Sequence, residues 1–356
     1  MKEIKAILST YRQKTKSEKV ALATVVRVEG SSYRRMGARM LVSENGNWIG
    51  GISGGCLEGD ALKRARMAIL KERASVITYD TSIDDDHQIG VGLGCNGIID
   101  VLFSPINEND PSNAIEVLKK ATSSTRNVRK LITIASCEDK QLTGKLFEFH
   151  DVESLNVLAD IVNSAELAHS ICSIEKSKYI IVHSSLSLFV EILPPPLQLL
   201  LFGHQYDVYP LIRQIKELGW DYSVVAPKTK VKDENVIEPS RFNNDIIDDF
   251  TAAILMSHSL QTDKENLKIL LESAISYIGM LGPRVRSERI FKELNISHKI
   301  SSIYAPTGLD IGATNPEEIA LSILAEIKSV FSERTAAHLR ERDIPIHSRE
   351  QAMNFN

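Results

Sequence analysis

The sequence predicts an α/β protein in two parts, a mixed α/β domain followed by a Rossmann-like, doubly wound parallel sheet. Three observations carry this. The chain has 356 residues, more than one hydrophobic core usually organises, so two domains are expected. Pro194-Pro195-Pro196 is a stiff, extended tripeptide that fits neither regular element, and it places a boundary. Beyond it strand and helix patterns alternate, the mark of a parallel sheet, whereas before it they do not. We therefore expect a first domain over 1–193, a second over 197–335 and a C-terminal tail over 336–356.

Ile4, Ile7, Leu8 and Tyr11 recur at helical spacing and predict a helix over 2–15. Val20 to Val28 is rich in β-branched residues. Arg39 to Val42 and Trp48 to Ile52 flank Glu44-Asn45-Gly46-Asn47, where Asn-Gly suits a hairpin turn. A helix is expected over Leu57 to Lys71, then strands over 76–79, 98–103, 131–135 and 146–149. Helices at 114–122 and 154–169 and strands at 179–183 and 188–193 complete the first domain. The second reads as strands at 199–202, 222–225, 253–256 and 277–281, interleaved with helices at 208–218, 264–273 and 284–294. A last helix over 316–330 starts well: Asn315 caps, Pro316 suits the first turn, and Glu317 and Glu318 favour the positive end of the dipole.

Charge and composition narrow the function. The 46 acidic and 42 basic side chains leave a net charge of -4, which gives no basis for nucleic-acid or anionic-lipid binding. The N-terminus lacks an apolar signal core and no run is long enough to span a membrane, so a cytoplasmic protein is expected. The four cysteines, Cys56, Cys95, Cys137 and Cys172, are too few and too scattered for a disulfide framework, and none forms a C-x-x-C pair.

Two segments crowd glycine around a thiol: Gly50 to Gly59, which holds Gly54-Gly55-Cys56-Leu57-Glu58, and Gly90 to Gly97, which holds Gly94-Cys95-Asn96. Glycine lets backbone N–H groups approach an anion, and a helix start favours thiolate over thiol. One such motif alone reads as a tight turn beside a buried thiol; two together favour a binding site. Gly30 to Met40 adds Tyr33, Arg34, Arg35 and Arg39, either a phosphate clamp with a stacking ring or a solvated basic loop. Glu58 is either a proton carrier or a first-turn carboxylate that suits the helix dipole. Asp84, Asp85, Asp86 and His87 read as a solvated loop, because consecutive residues rarely converge on one ion.

In the second domain Gly203-His204-Gln205-Tyr206-Asp207 stands where a dinucleotide fold carries G-x-G-x-x-G, and only Gly203 is present. Ala226-Pro227 replaces the ribose-binding acid. A nicotinamide cofactor, NAD(P), is therefore not expected. His258 and Arg284 follow strands at the end where such sheets bind ligands, which nominates both, with a structural role for His258 as the other reading.

Taken in order, SSYRRMGARM, GGISGGCLEGDAL, VGLGCNGIIDV, LLLFGHQYDVYPLI, YIGMLGPRVR and APTGLDIGATNPEEIALSILAEI resemble the successive signatures of the XdhC/CoxI family of xanthine dehydrogenase accessory factors. The resemblance spans nearly the whole chain. It implies an N-terminal cofactor domain, a C-terminal Rossmann-like domain, and a homodimer that binds molybdenum cofactor (molybdopterin) and delivers it to a molybdenum hydroxylase such as xanthine dehydrogenase. It points to Cys56 and Cys95 as thiols that bind the cofactor and its metal, with Gly54, Gly55, Glu58 and Gly94 shaping the pocket. Asn96, the Gly203-His204-Gln205 turn and Ser259 depart from the family pattern. Two alternatives stand beside this reading: an NAD(P)-dependent oxidoreductase using the second domain, and a thiol-based sulfur-transfer enzyme.

Overall fold

A computed structural model describes residues 1–80, 97–123, 125–297, 300–343, 346 and 352–355. Its chain contacts divide into two units, Met1–Pro194 with Asp343–Asn356, and Pro195–Arg342.

The first unit runs α1 (Lys2–Gln13), β1 (Val20–Gly30), β2 (Arg39–Ser43), β3 (Trp48–Gly50), α2 (Glu58–Lys71), β4 (Ser75–Asp80), β5 (Gly97–Pro105), α3 (Ala114–Ala121), β6 (Arg129–Ser136), β7 (Leu146–Phe149), α4 (Ser164–Cys172), β8 (Lys178–His183) and β9 (Leu186–Leu193). β1 to β5 form one antiparallel sheet in the order β3-β2-β1-β5-β4. Alternation along its strands sorts its side chains. Ala21, Ala23, Val25, Met40, Val42, Ile99, Val101 and Phe103 pack with Ala61, Ala65 and Ala68 of α2, because successive side chains point to opposite faces. The other face carries Leu22 and Leu41, which join Leu131, Leu146 and Leu193 of the second sheet and Ile4, Ile7 and Leu8 of α1. Val26, Leu102, Ala135 and Phe189 continue that layer. The second sheet covers its far side with α4 and a 3-10 helix, Val152–Leu158.

The helix expected over 154–169 is two pieces. Asp151 caps the 3-10 helix, and the Asn163 side chain accepts the Ala165 N–H at 3.2 Å to start α4. A second capping residue inside one apolar pattern restarted the chain.

The second unit runs β10 (Gln198–Phe202), α5 (Val208–Leu218), β11 (Asp221–Val225), β12 (Val236–Ile237), β13 (Thr251–Leu255), α6 (Leu260–Leu271), β14 (Tyr277–Met280), α7 (Arg284–Leu294), β15 (Ile303–Tyr304) and α8 (Pro316–Phe331). All pairings are parallel, in the order β12-β11-β10-β13-β14-β15. α5 and α8 cover one face and α6 and α7 the other, so the doubly wound α/β class is borne out. α6 starts four residues before the expected 264, where the Ser259 hydroxyl takes the Thr262 N–H. β12 and β15, at two residues each, are too short to leave a period in the sequence.

The tail is not a separate segment throughout. A last strand, β16 (Met353–Asn354), pairs in parallel with β8 and completes the second sheet of the first unit in the order β16-β8-β9-β6-β7. Phe355 packs on that sheet's core.

Candidate functional site

β3 ends at Gly50, and residues 51–57 form an irregular loop that enters α2. Ser53 organises it. Its hydroxyl accepts the N–H of Gly55 at 3.2 Å and of Leu57 at 3.0 Å, and donates to the Glu58 carboxylate. Glu58 also accepts the Ser53 N–H at 2.9 Å. Burial alone would raise the Glu58 carboxyl; the hydrogen bonds from Ser53, its own amide and Gly55 overcome this and hold it below the ordinary value. Glu58 is thereby the carboxylate that ties the loop to the helix start, a variant of the capping box. The Gly55 and Leu57 amides are engaged by the protein itself, so these two are not open to an anion.

Cys56 sits in this loop as a half-buried free thiol beside the α2 core. Around it the backbone is bare. Gly55 has φ +111 and, like Gly59, open space where a Cβ would stand, which leaves the main chain approachable on that side. A Cβ on Gly54 would lie 3.3 Å from the ring of Tyr33, a residue 74% exposed. The structure thus brings Tyr33, Gly54, Gly55, Cys56 and Glu58 together. Gly94, Cys95 and the Asp84 to His87 run lie outside the described residues. Gly97, the first described residue after them, pairs with Gly30 at the entry to the Tyr33 loop.

The arginine clamp needs correction. Arg39 is 1% exposed and points between the two sheets, where Nη1 meets Glu191 Oε1 at 2.9 Å and the Gly37 carbonyl at 2.9 Å, and Nη2 meets Glu191 Oε2. Desolvation would lower its guanidinium, but the Glu191 charge and hydrogen bonds outweigh this and raise it. Such a fork is a structural pair, and its burial keeps the guanidinium out of reach of a ligand. Arg34 is half-buried and paired with Glu3, and Arg35 makes contacts of its own. Glu191 and Ser53 were not anticipated from the sequence. The signal for Glu191 was present, since it alternates with Phe189 and Leu193 on a buried strand face.

In the second unit the sheet order reverses direction between β10 and β13, where α/β folds bind ligands. Gly203 stands there because a Cβ would lie 2.5 Å from the Met256 carbonyl oxygen. His258 has φ 59, and its Nε2 lies 2.7 Å from Asp207 Oδ2. Asp207 is also the N-cap of α5, so a carboxylate sits at the helix start that receives pyrophosphate in dinucleotide folds. Arg284, exposed, opens α7 after the next strand. Among the described residues no group of three or more His, Cys, Asp or Glu side chains could hold a metal, and no helix is long and apolar enough to cross a membrane.

Comparison with known proteins fits this geometry. The family model described as "XdhC and CoxI family" matches residues 14–80 and that described as "XdhC Rossmann domain" matches 199–327. The chain is 31% identical to a probable xanthine dehydrogenase subunit of Bacillus subtilis over 87% of this chain and 92% of that protein. It is 24% identical to the "Molybdenum cofactor insertion chaperone PaoD" of Escherichia coli over 87% of this chain and 82% of that one. Among solved structures, a xanthine dehydrogenase from Bacillus halodurans has a TM-score of 0.69 at 27% identity, covering 95% of this chain and 98% of the other. On the matched signatures and the extent of these alignments, the chain belongs to the XdhC and CoxI family.

Proposed function

We propose that this protein is an accessory factor that binds molybdenum cofactor at the Cys56 loop and delivers it to a molybdenum hydroxylase of the xanthine dehydrogenase kind. The observation that carries the reading is the half-buried Cys56 thiol in a glycine-lined loop, with the Tyr33 ring beside it. A thiolate is a soft ligand suited to the metal of the cargo, and bare glycine backbone at Gly55 and Gly59 leaves room for the rest of it. Cys95 belongs to the same reading as the second thiol, with Gly94 beside it. The pairing of Gly97 with Gly30 supports this. Arg34 and Arg35 stand on the Tyr33 loop and are assigned to the phosphate of the cargo, Arg34 by exchanging its Glu3 partner for it, and Glu58 holds the loop in shape. His258 and Arg284, both exposed after strands of the second unit, offer a further contact surface, with buried Gly203 shaping the turn after β10. The names of the Bacillus subtilis and Escherichia coli relatives support the choice of cargo and recipient. A homodimer working in the cytoplasm completes the proposal.

The test loads the purified full chain with molybdenum cofactor and measures pterin fluorescence and molybdenum retained after gel filtration. Cys56→Ala and Cys95→Ala are expected to lose retention while keeping the wild-type unfolding temperature. Wild-type retention in both variants overturns the proposal. Light scattering on the same fractions reads the oligomeric state, and activation of an apo-hydroxylase reads delivery.

A further inference from the structure

At the far end of α2 from Cys56 the first unit has a cavity of about 530 Å³. Helix α2 has 14 residues, so about 20 Å of helix separates the two places. The cavity walls come from four stretches distant in sequence: the end of α2, the end of β5, the approach to α3, and the turn joining β6 to β7. Its volume falls in the range of small-molecule sites.

Its charge is one-sided. Lys71, Arg73, Lys140 and Lys145 line it, and among the described residues no acid forms an ion pair with any of them. The two acids in the lining are already engaged. Glu72 pairs with Lys19 at 2.8 Å. Asp110 accepts the Ser112 hydroxyl at 2.6 Å and amide at 2.8 Å, and these hydrogen bonds, with a smaller contribution from the Lys145 charge, hold its carboxyl below the usual value. Four cations therefore face two satisfied carboxylates.

Two hydroxyls lie closed off behind the wall. Ser104, 8% exposed, lines the cavity, and its Oγ has no hydrogen-bond partner; the Oγ1 of Thr143 is likewise buried and unpartnered. Between them Gly144 has φ +90, and a Cβ there would lie 2.6 Å from Ser104 Oγ and 2.8 Å from the Ala74 Cβ. Only glycine lets the turn approach the wall this closely. At the start of α3 the Asn113 side chain takes the Ile115 and Glu116 amides. Pro105, Ile106 and Leu146 supply an apolar side.

We propose that this cavity binds a small organic phosphate. Its phosphoryl group meets the Lys71, Arg73 and Lys145 cations, and its carbon skeleton lies against Pro105, Ile106 and Leu146. A cluster of cations with no acid paired to it matches a multiply charged oxyanion. The apolar side and the volume, far larger than an inorganic ion needs, point to an organic ester.

Isothermal titration of the full chain tests this with ribose 5-phosphate, AMP, inorganic phosphate and unphosphorylated ribose. At least one organic phosphate is expected to bind saturably, more tightly than inorganic phosphate, with ribose silent. Arg73→Ala and Lys145→Ala, both at exposed side chains, are each expected to weaken that binding at least about tenfold. Cys56→Ala is expected to leave it unchanged, which separates this site from the cofactor loop. The proposal is overturned if no organic phosphate binds below about 1 mM, if inorganic phosphate binds equally well, or if both cation variants bind as wild type.

Discussion

Replacing Arg39 by methionine removes the buried guanidinium while keeping most of the side-chain volume, and it isolates one contact between the two sheets of the first unit. In the native protein Arg39 is 1% exposed and the Glu191 side chain 7%, so neither charge has water to fall back on. The variant leaves the Glu191 carboxylate facing an apolar side chain, and removing one member of such a pair costs about 3–5 kcal/mol. The hydrogen bond from the Arg39 amide to Glu3 Oε1 at 2.7 Å is a backbone contact and survives. Arg39→Met/Glu191→Leu removes both charges at once, and its cost is expected to fall well below the sum of the single changes, because an apolar pair can replace a buried ion pair at little net loss. The assay is urea unfolding followed by tryptophan fluorescence. The chain has two tryptophans, Trp48 on β3 in the first unit and Trp220 in the second; a Trp220→Phe background makes the signal report the first unit alone. A loss under about 1 kcal/mol for Arg39→Met, the range of exposed pairs, or additive losses in the double variant, would refute the assignment of this pair as a buried, coupled contact.

Three other outcomes are expected. The Glu58 carboxyl is held below its ordinary value, so its charge stabilises the folded loop above the usual carboxylate range, and that contribution fades as pH falls through the lowered folded value. Glu58→Gln should therefore be less stable than wild type near pH 7, by at most about 1 kcal/mol at this half-exposed position, and the difference should close in acid; a difference that widens in acid contradicts the mechanism. Gly203→Ala drives a Cβ against the Met256 carbonyl and should destabilise the second unit by about 1–3 kcal/mol, read from Trp220 fluorescence in a Trp48→Phe background; an unchanged midpoint counts against the close approach. The Tyr277 hydroxyl lies 2.6 Å from Thr307 Oγ1 and donates to Glu326 Oε2 at 2.5 Å, and burial followed by the Glu326 hydrogen bond pushes its phenol above the ordinary range. Tyr277→Phe should cost about 1–3 kcal/mol by stranding those partners, whereas a neutral result in thermal unfolding would show them satisfied elsewhere.

What the sequence determined by itself was local and periodic. The alternation of strands and helices after the triple proline specified the second unit's class, and helices such as Val208–Leu218 and Arg284–Leu294 were legible because period and end residues agreed. The glycine-cysteine loop was legible for the same reason: its residues are neighbours along the chain. Tertiary structure decided whatever depends on which face meets which. Arg39 looked like part of an exposed basic loop, yet the pairing of β1 with β2 and the packing of β9 carried it under Glu191, 152 residues away. Asp207 and His258, 51 residues apart, met only because β10 and β13 are neighbours, and β16 found β8 from the far end of the chain. Periodicity records which side of an element is apolar, but the identity of the partner across that side is a property of the closed fold alone.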